Sequence, residues 1–229
     1  MSNGRTALVT GGAGGLGAAT VAAFLAEGWR VVAPVRPGSA GRLPDGAIAV
    51  EGDLGAAADV AAAVAVAVDQ GDAPLRAVVN VAGGYAGGAL VGETPIEDFE
   101  AMLARNLRPT YLVTSAALPH LVEAGGGSIV CVSSRAAVAP FAGAAGYVTS
   151  KAAVLAFANA VAVEYRKQGV RCNTVLPSVI DTPANRRDQP DADHSRWVPP
   201  EEIARVILFL ASDASGPTSG AQIPVYGRA

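Results

Sequence analysis

Short apolar runs alternate with longer helical segments along the whole chain, and this alternation constrains the fold more than any other feature. The short runs are mostly continuous rather than alternating, which is typical of parallel strands covered on both faces. We predict seven strands, at residues 6–10, 30–35, 47–50, 77–82, 128–133, 170–176 and 222–225. Helices are predicted at 18–27, 56–68, 95–104 continuing towards 122, 147–168 and 200–212. The unbroken alternation predicts an α/β fold with a doubly wound parallel sheet, formed by residues 1–229 as a single domain.

The composition excludes several classes of protein. Hydrophobic residues make up 51% of the chain and charged residues 16%, which excludes a disordered chain. A net charge of −3 argues against a nucleic-acid partner. The first residues lack a signal peptide, and we find no run of about 18 uncharged apolar residues that would span a membrane. Cys131 and Cys172 lie in apolar runs and are predicted to be buried thiols, so we expect a reducing cytoplasmic setting.

A glycine-rich turn, TGGAGGLG at residues 10–17, follows the first predicted strand. Glycines there would let the backbone approach a pyrophosphate, which the N–H groups at the start of the following helix could bind. Both a G-x-G-x-x-G and a T-G-x-x-x-G-x-G spacing fit, and no Lys-Ser/Thr pair follows, which excludes a P-loop. The residues of this turn predicted to bind a cofactor are Gly11, Gly14, Gly15, Leu16 and Gly17.

The end of the second predicted strand carries Arg36 and no acidic residue. An acid at this point would bind the ribose hydroxyls of NAD, whereas an arginine would pair with the 2′-phosphate of NADP. The sequence therefore favours NADP(H) over NAD(H), although an exposed arginine after a strand is also common. Asp53, followed by Leu54 after the third strand, could contact the adenine or could simply cap the next helix.

Tyr147 and Lys151 lie four residues apart at the start of a long apolar helix, so they share one helix face. A nearby ammonium would lower the pKa of the phenol and make it a usable acid or base. Ser134, at the end of the fifth strand, is expected beside that phenol at the carboxyl edge of the sheet.

With these motifs in place, the sequence resembles the single-domain short-chain dehydrogenase/reductases, from residue 6 to about residue 227. The resemblance depends on six features in order: the glycine turn, NVAG at 80–83, Asn106, the serines 133 and 134, YVTSK at 147–151 and LPSVIDTP at 176–183. It implies a Rossmann-type fold and an oxidoreductase that transfers a hydride between NADP(H) and a small-molecule carbonyl or secondary alcohol. A 3-oxoacyl thioester is one of several substrates that would fit. It also implies a homodimer or homotetramer formed through the helices predicted at 95–122 and 147–168.

The resemblance assigns roles to individual residues. Tyr147 would be the proton donor, Lys151 would bind the ribose and tune the phenol, and Ser134 would orient the carbonyl. Asn106 would hold a water molecule, and Asn80 would steady the sheet. The further residues implied to contact the cofactor are Ala82, Gly83, Pro177, Ile180 and Thr182.

Some positions depart from the family pattern or stay open. Ser178 follows Pro177 where the family has glycine, and the segment 182–199, a predicted substrate lid, is shorter than usual. Arg135 would bind an anionic group of the substrate, point to solvent or cap a carbonyl of the loop leading to Phe141. Tyr85 and Phe141 would be walls of the pocket or simple loop packing.

Two alternative functions remain open, and no metal site is expected. His120 and His194 lie far from any cluster of metal-ligand residues. The alternatives are an extended relative such as a nucleotide-sugar epimerase, and a non-catalytic NADP-binding regulatory or scaffolding protein.

Overall fold

A computed structural model describes residues 4–69 and 72–228 of the chain. The strands are β1 (Thr6–Val9), β2 (Arg30–Val35), β3 (Ile48–Glu51), β4 (Leu75–Asn80), β5 (Gly127–Val132), β6 (Val170–Pro177) and β7 (Gln222–Val225). The helices are α1 (Gly15–Ala26), α2 (Ala57–Val68), α3 (Ile96–Glu123), α4 (Ala145–Glu164), α5 (Pro183–Asp188) and α6 (Pro200–Ala211). Short 3₁₀ turns connect several of these elements.

All seven strands pair in parallel in one sheet, in the order β3-β2-β1-β4-β5-β6-β7. The order reverses between β1 and β4, where open α/β sheets form a crevice at the carboxyl ends of their strands. This topology confirms the predicted doubly wound, Rossmann-type α/β fold.

The core lies in two layers, one on each face of the sheet. Successive residues of a strand point to opposite faces, so that Leu8 packs with α2, α3 and α4. Its neighbours Ala7 and Val9 pack with α1 and α6 on the other face. The edge strands β3 and β7 are exceptions to the expected double cover, since neither contains a buried residue and Ile48 of β3 is 36% exposed.

The structure corrects several predicted boundaries. Helix α1 begins at Gly15, three residues earlier than predicted, because glycines at its start allow the helix to pack against the preceding turn. Helix α4 runs from Ala145 to Glu164 rather than 147–168, and a separate 3₁₀ turn covers Arg166–Gln168. The short helix α5 inside the predicted lid was not expected, and Thr182 caps its first turn by accepting a hydrogen bond from the Asn185 N–H.

Helix α4 is long and apolar enough, by length and composition, to cross a membrane. It contains Lys151 and is therefore not a run of uncharged apolar residues, the kind of segment that the sequence was predicted to lack. The buried side of α4 packs against α3 and β6, as expected of a core helix, and the same helix carries Tyr147 and Lys151.

Candidate functional site

The glycine turn between β1 and α1 leaves backbone N–H groups available to an anion. The residue before α1 is Gly14, no side chain caps the helix, and its first turn holds no acidic residue. Gly11 adopts a φ of +70°, which favours glycine. A side chain at Gly17 would overlap the carbonyl oxygen of Gly11, so only glycine lets α1 pack this closely on the turn. The cradle therefore fits the pyrophosphate of a dinucleotide.

A groove of about 480 Å³ extends from this turn along the carboxyl edge of the sheet. It passes the ends of β2 and β3 on one side and reaches the end of β4 on the other. The sequence-predicted residues that line it are Gly11, Gly14, Gly15, Leu16, Gly17, Arg36, Asp53, Leu54, Ala82 and Gly83. The structure thus brings together residues predicted from four separate parts of the chain.

The groove also has walls that sequence reasoning missed. Ser39 and Arg42 line it beside Arg36, because the segment after β2 turns back in a short 3₁₀ helix that ends at Arg42. The sequence did contain a signal for this wall, namely a second arginine six residues after Arg36. The carboxylate of Glu51, opposite Val35 in the sheet, accepts a hydrogen bond from the Gly38 N–H at 2.9 Å.

Two polar side chains fix the chain at the end of β4. The Thr10 hydroxyl oxygen accepts hydrogen bonds from the N–H groups of Val81 and Ala82, both at 3.0 Å. Asn80 is buried and donates to the Thr114 hydroxyl at 2.9 Å. These hydrogen bonds connect the end of β4 to β1 and α3. Asn80, which was predicted to steady the sheet, therefore lies where it can hold β4 against α3.

Gly83 lies where three parts of the site meet. A Cβ there would come within 2.5 Å of Asn106 Oδ1 and 3.2 Å of Lys151 Nζ. Glycine is therefore required for α3 and α4 to bring their polar side chains up to the loop after β4.

The predicted catalytic side chains converge beyond the end of β5. Ser134 follows that strand, and its oxygen accepts a hydrogen bond from the Ala136 N–H at 3.1 Å. Tyr147 lies on the first turn of α4, with its phenol close enough to Ser134 for a side-chain interaction. Lys151 follows one turn later, and its ammonium donates to the Val132 carbonyl at 3.0 Å.

Burial controls the electrostatics of this cluster. Burial raises the pKa of Tyr147, against a lowering interaction with Ser134 and a further raising contribution from Tyr85. Burial also lowers the pKa of Lys151 to about 8. The expectation that Lys151 lowers the pKa of the phenol is wrong for this structure, because the ammonium is directed at the Val132 carbonyl and desolvation of Tyr147 dominates.

Asn106 connects the loop after β4 to α4. The Asn106 side chain accepts from the Gly84 N–H at 2.9 Å and donates to the Gly84 carbonyl at 3.0 Å. It also donates to the Ser150 hydroxyl at 3.0 Å, and that hydroxyl donates to the Tyr147 carbonyl at 2.8 Å. The buried Ser133, whose hydroxyl donates to the Lys151 carbonyl, supports α4 from β5. Sequence reasoning did not assign roles to Ser150 or Ser133, since a serine carries no signal without its neighbours.

The segment after β6 closes the other end of the site. Pro177 ends the strand, and the Ser178 N–H and hydroxyl donate to the carbonyls of Val225 and Tyr226. Ile180 forms a parallel bridge with Val198. The side chain of Thr182 lies so close to Gly15 that a Cβ there would come within 2.5 Å of it. The base of the predicted lid therefore touches the glycine turn.

Three residues with open roles also lie near the site. The Arg135 guanidinium stacks over the ring of Tyr226, 5.1 Å from its centroid, so it does not simply point to solvent. The Tyr85 ring lies 5.1 Å from that of Tyr147 and 6.2 Å from that of Phe141. Both rings are about half exposed, which places them at the mouth of the site.

Residues 4–69 and 72–228 contain no group of three or more His, Cys, Asp or Glu side chains that could hold a metal ion. Cys131 and Cys172 are buried and unpaired, as predicted.

The chain is similar to known proteins over nearly its whole length. The family model for short chain dehydrogenase matches residues 5–193. The 2-(R)-hydroxypropyl-CoM dehydrogenase of Xanthobacter autotrophicus is 35% identical, over 97% of each chain. The D-threitol dehydrogenase of Mycolicibacterium smegmatis is 36% identical, over 98% of this chain and 92% of the relative.

Solved structures show the same fold. A short-chain type dehydrogenase/reductase from Mycobacterium ulcerans superimposes with a TM-score of 0.92 at 28% identity, over 98% of this chain and 89% of that one. The doubly wound parallel sheet is the fold that the resemblance in sequence implied, and Ser134, Tyr147 and Lys151 lie together beyond the end of β5. The chain therefore belongs to the short chain dehydrogenase family, whose members are oxidoreductases that act on alcohols and ketones with a nicotinamide cofactor.

Proposed function

We propose that this protein is an NADP(H)-dependent oxidoreductase that interconverts a ketone and a secondary alcohol. The observation that carries the proposal is the convergence of Ser134, Tyr147 and Lys151 beside the end of the groove that begins at the glycine turn. The names of the two relatives support it, since a hydroxypropyl group and threitol both carry alcohols.

The bound nicotinamide would supply or accept the hydride, and the protein would control the proton. In the reductive direction the Tyr147 hydroxyl donates its proton to the carbonyl oxygen, and in the oxidative direction the deprotonated phenolate of Tyr147 takes the proton of the alcohol. Ser134 orients that oxygen by hydrogen bonding. A phenol whose pKa is raised by burial stays protonated at neutral pH, which suits it to donate in the reductive direction.

The buried ammonium of Lys151 would bind the ribose next to the nicotinamide. Gly83 leaves room for this ammonium, because a Cβ at residue 83 would come within 3.2 Å of Lys151 Nζ. Asn106 holds the loop after β4, and a water molecule at Asn106 would complete the proton path in this proposal.

The preference for NADP(H) rests on the positive charge at the end of β2. Arg36 and Arg42 both line the groove there, with the Ser39 hydroxyl between them in sequence. Guanidinium groups bind phosphate in bidentate fashion, so two of them suit a ribose 2′-phosphate. Because the Glu51 carboxylate is already engaged by the Gly38 N–H, it competes less for the ribose hydroxyls.

The segment 182–199 would act as a small substrate lid over this site. Its base is fixed by Thr182 against Gly15 and by a bridge from Ile180 to Val198. Arg186, on α5, pairs with Asp181, the residue just before this segment.

We further propose a cytoplasmic homo-oligomer formed through α3 and α4. Tyr111 on α3 is 53% exposed and Val163 on α4 is 67% exposed. Apolar side chains exposed on neighbouring helices are typical of a subunit interface. The two buried, unpaired cysteines fit a reducing compartment.

A non-catalytic NADP-binding protein is the alternative, and the intact set of Asn106, Ser134, Tyr147 and Lys151 disfavours it. The test is a panel of ketones and secondary alcohols assayed with NADPH, NADH and their oxidised forms. Turnover of at least one ketone, faster with NADPH than with NADH, is the expected result. Tight NADPH binding without turnover of any compound would favour the alternative.

A further inference from the structure

The loop at residues 83–88, sequence GGYAGG, places an aromatic ring directly against the ring of Tyr147. The Tyr85 and Tyr147 centroids lie 5.1 Å apart at an interplanar angle of 88°. This edge-to-face geometry is favoured for aromatic pairs. Tyr85 therefore contacts the ring that carries the reacting hydroxyl. A residue that only lined the substrate pocket would not make this contact.

The first end of this loop is fixed to the backbone of α4. Asn106 binds both the N–H and the carbonyl of Gly84, the residue before Tyr85. The same Asn106 amide donates to Ser150, whose hydroxyl donates to the carbonyl of Tyr147. Tyr147 is thus contacted at two points. Ser150 donates a hydrogen bond to its backbone carbonyl, and the ring of Tyr85 packs against its ring.

The second end of the loop is fixed just before α4. The Gly88 N–H donates to the Gly143 carbonyl at 2.7 Å, and Gly88 adopts a φ of +132° that favours glycine. A Cβ at Gly87 would come within 2.5 Å of the Gly143 oxygen and 2.9 Å of Tyr85 Oη. The glycines around Tyr85 therefore allow the loop to lie against the segment that leads into α4, with the ring of Tyr85 held between its two fixed ends.

We propose that Tyr85 is a positioning residue, which holds the ring of Tyr147 so that its hydroxyl faces the substrate oxygen. This role rests on the proposed function of Tyr147 as the proton donor. The aromatic ring of Tyr85 performs it, and the Tyr85 hydroxyl is not required. Substitution of a residue that only lines the substrate pocket would change substrate binding and leave the orientation of the Tyr147 hydroxyl unaltered.

The first experiment compares Tyr85→Ala with Tyr85→Phe on two ketones, one bulky and one too small to reach the mouth of the site. We expect Tyr85→Ala to lower kcat about tenfold or more for both ketones, because small displacements of a reacting group are costly. Tyr85→Phe keeps the ring and should restore most of the lost kcat. The Kd for NADPH, measured by fluorescence titration, should stay unchanged in both variants.

Phe141→Ala is the matched control. Phe141 is as exposed as Tyr85 and packs against it, but among the described residues its ring pairs with that of Tyr85 and not with that of Tyr147. We expect this variant to raise KM for the bulky ketone and to keep kcat for the small one. If Tyr85→Ala behaves in the same way as Phe141→Ala, with no loss of kcat on the small ketone, Tyr85 is only a wall and the proposal is wrong.

A second measurement needs no substrate. Thermal unfolding of the parent, Tyr85→Ala, Tyr147→Ala and the double variant gives the coupling between the two rings. We expect the double variant to lose less in Tm than the sum of the single losses. Additive losses would overturn the positioning role even in an active enzyme. Coupled losses in a protein that reduces no ketone would refute the proposed function and leave the contact between the rings established.

Discussion

Burial raises the pKa of the Tyr147 phenol, which is therefore protonated at neutral pH. Tyr147→Phe removes the hydroxyl and keeps the ring, with its contact to Tyr85. We predict a loss of turnover of about 10²–10⁴-fold, the range that a positioned acid contributes. Binding of NADPH should stay nearly intact, and isothermal titration calorimetry would measure it. Activity within a few-fold of the parent would show that another group donates the proton.

Lys151 is a charge held in a buried site, and its pKa falls from 10.5 to about 8 on folding. Between these two values the unfolded chain binds more protons than the folded one, so the contribution of this group to stability rises with pH. We predict that Lys151→Met is inactive but more stable than the parent at pH 7, by up to about 3 kcal/mol. The gain should shrink between pH 8 and 10.5. Urea unfolding at several pH values would measure it, and a gain that is independent of pH would contradict the assignment.

Arg36 and Arg42 are predicted to select the cofactor together. Arg36→Asp removes one phosphate partner and adds an acceptor for ribose hydroxyls, so the ratio of kcat/KM for NADPH over NADH should fall. Arg42→Ala should lower the same ratio less, without improving the use of NADH. Steady-state kinetics with both cofactors measures the ratios. Equal kcat/KM values of the parent for NADPH and NADH would show that neither arginine determines the cofactor preference.

At the level of elements, the contact between α1 and the preceding turn depends on Gly17. We predict that Gly17→Ala destabilises the protein by about 1–3 kcal/mol, the usual cost of overpacking, because the new Cβ would overlap the Gly11 carbonyl. NADPH binding should weaken as well, since the turn must shift. Gly92→Ala is the control, because a Cβ there meets nothing within 4 Å. Equal Tm values for the two variants would contradict this packing argument.

The elements with strong apolar runs were predictable from the sequence, and so was the order in which they alternate. Strand β2 matches its predicted range, and all seven strands and five of the six helices were expected. Helix α5 was missed because its six residues, PANRRD, are mostly polar and carry no apolar periodicity. It forms because Thr182 caps it and Pro183 begins it, a signal that a proline-containing loop shares.

The site was predictable only where a motif fixes the spacing. The groove residues from Gly11 to Gly17 and the Tyr147–Lys151 pair follow from local sequence. The direction of the Lys151 ammonium did not follow, because it depends on the Val132 carbonyl in a different element. The link from Asn106 through Ser150 to Tyr147 was equally hidden, since it joins α3 to α4 by side-chain contacts.

For the whole molecule, the exposed apolar side chains of α3 and α4 lead to a prediction about assembly. Tyr111→Glu places a charge in the proposed interface and should lower the mass measured by light scattering. Phe209→Glu on α6 is the control, with a side chain that is similarly exposed at 49%. It should still form at least a dimer. A parent that is monomeric at micromolar concentration would refute the proposed oligomer.

The strand order described above also dictates how the chain can assemble as it leaves the ribosome. Strands β1, β2 and β3 are neighbours in the sheet and are synthesised first, so they can pair before the rest of the chain exists. A domain generally folds as a unit, and β1 keeps an unpaired edge until β4 has been synthesised. The segments synthesised first carry the glycine turn and the arginine end of the groove. The proton-donating half, on β5 and α4, is added later. A nascent chain that has reached β4 would therefore contain most of the nucleotide-facing residues before it has any catalytic group.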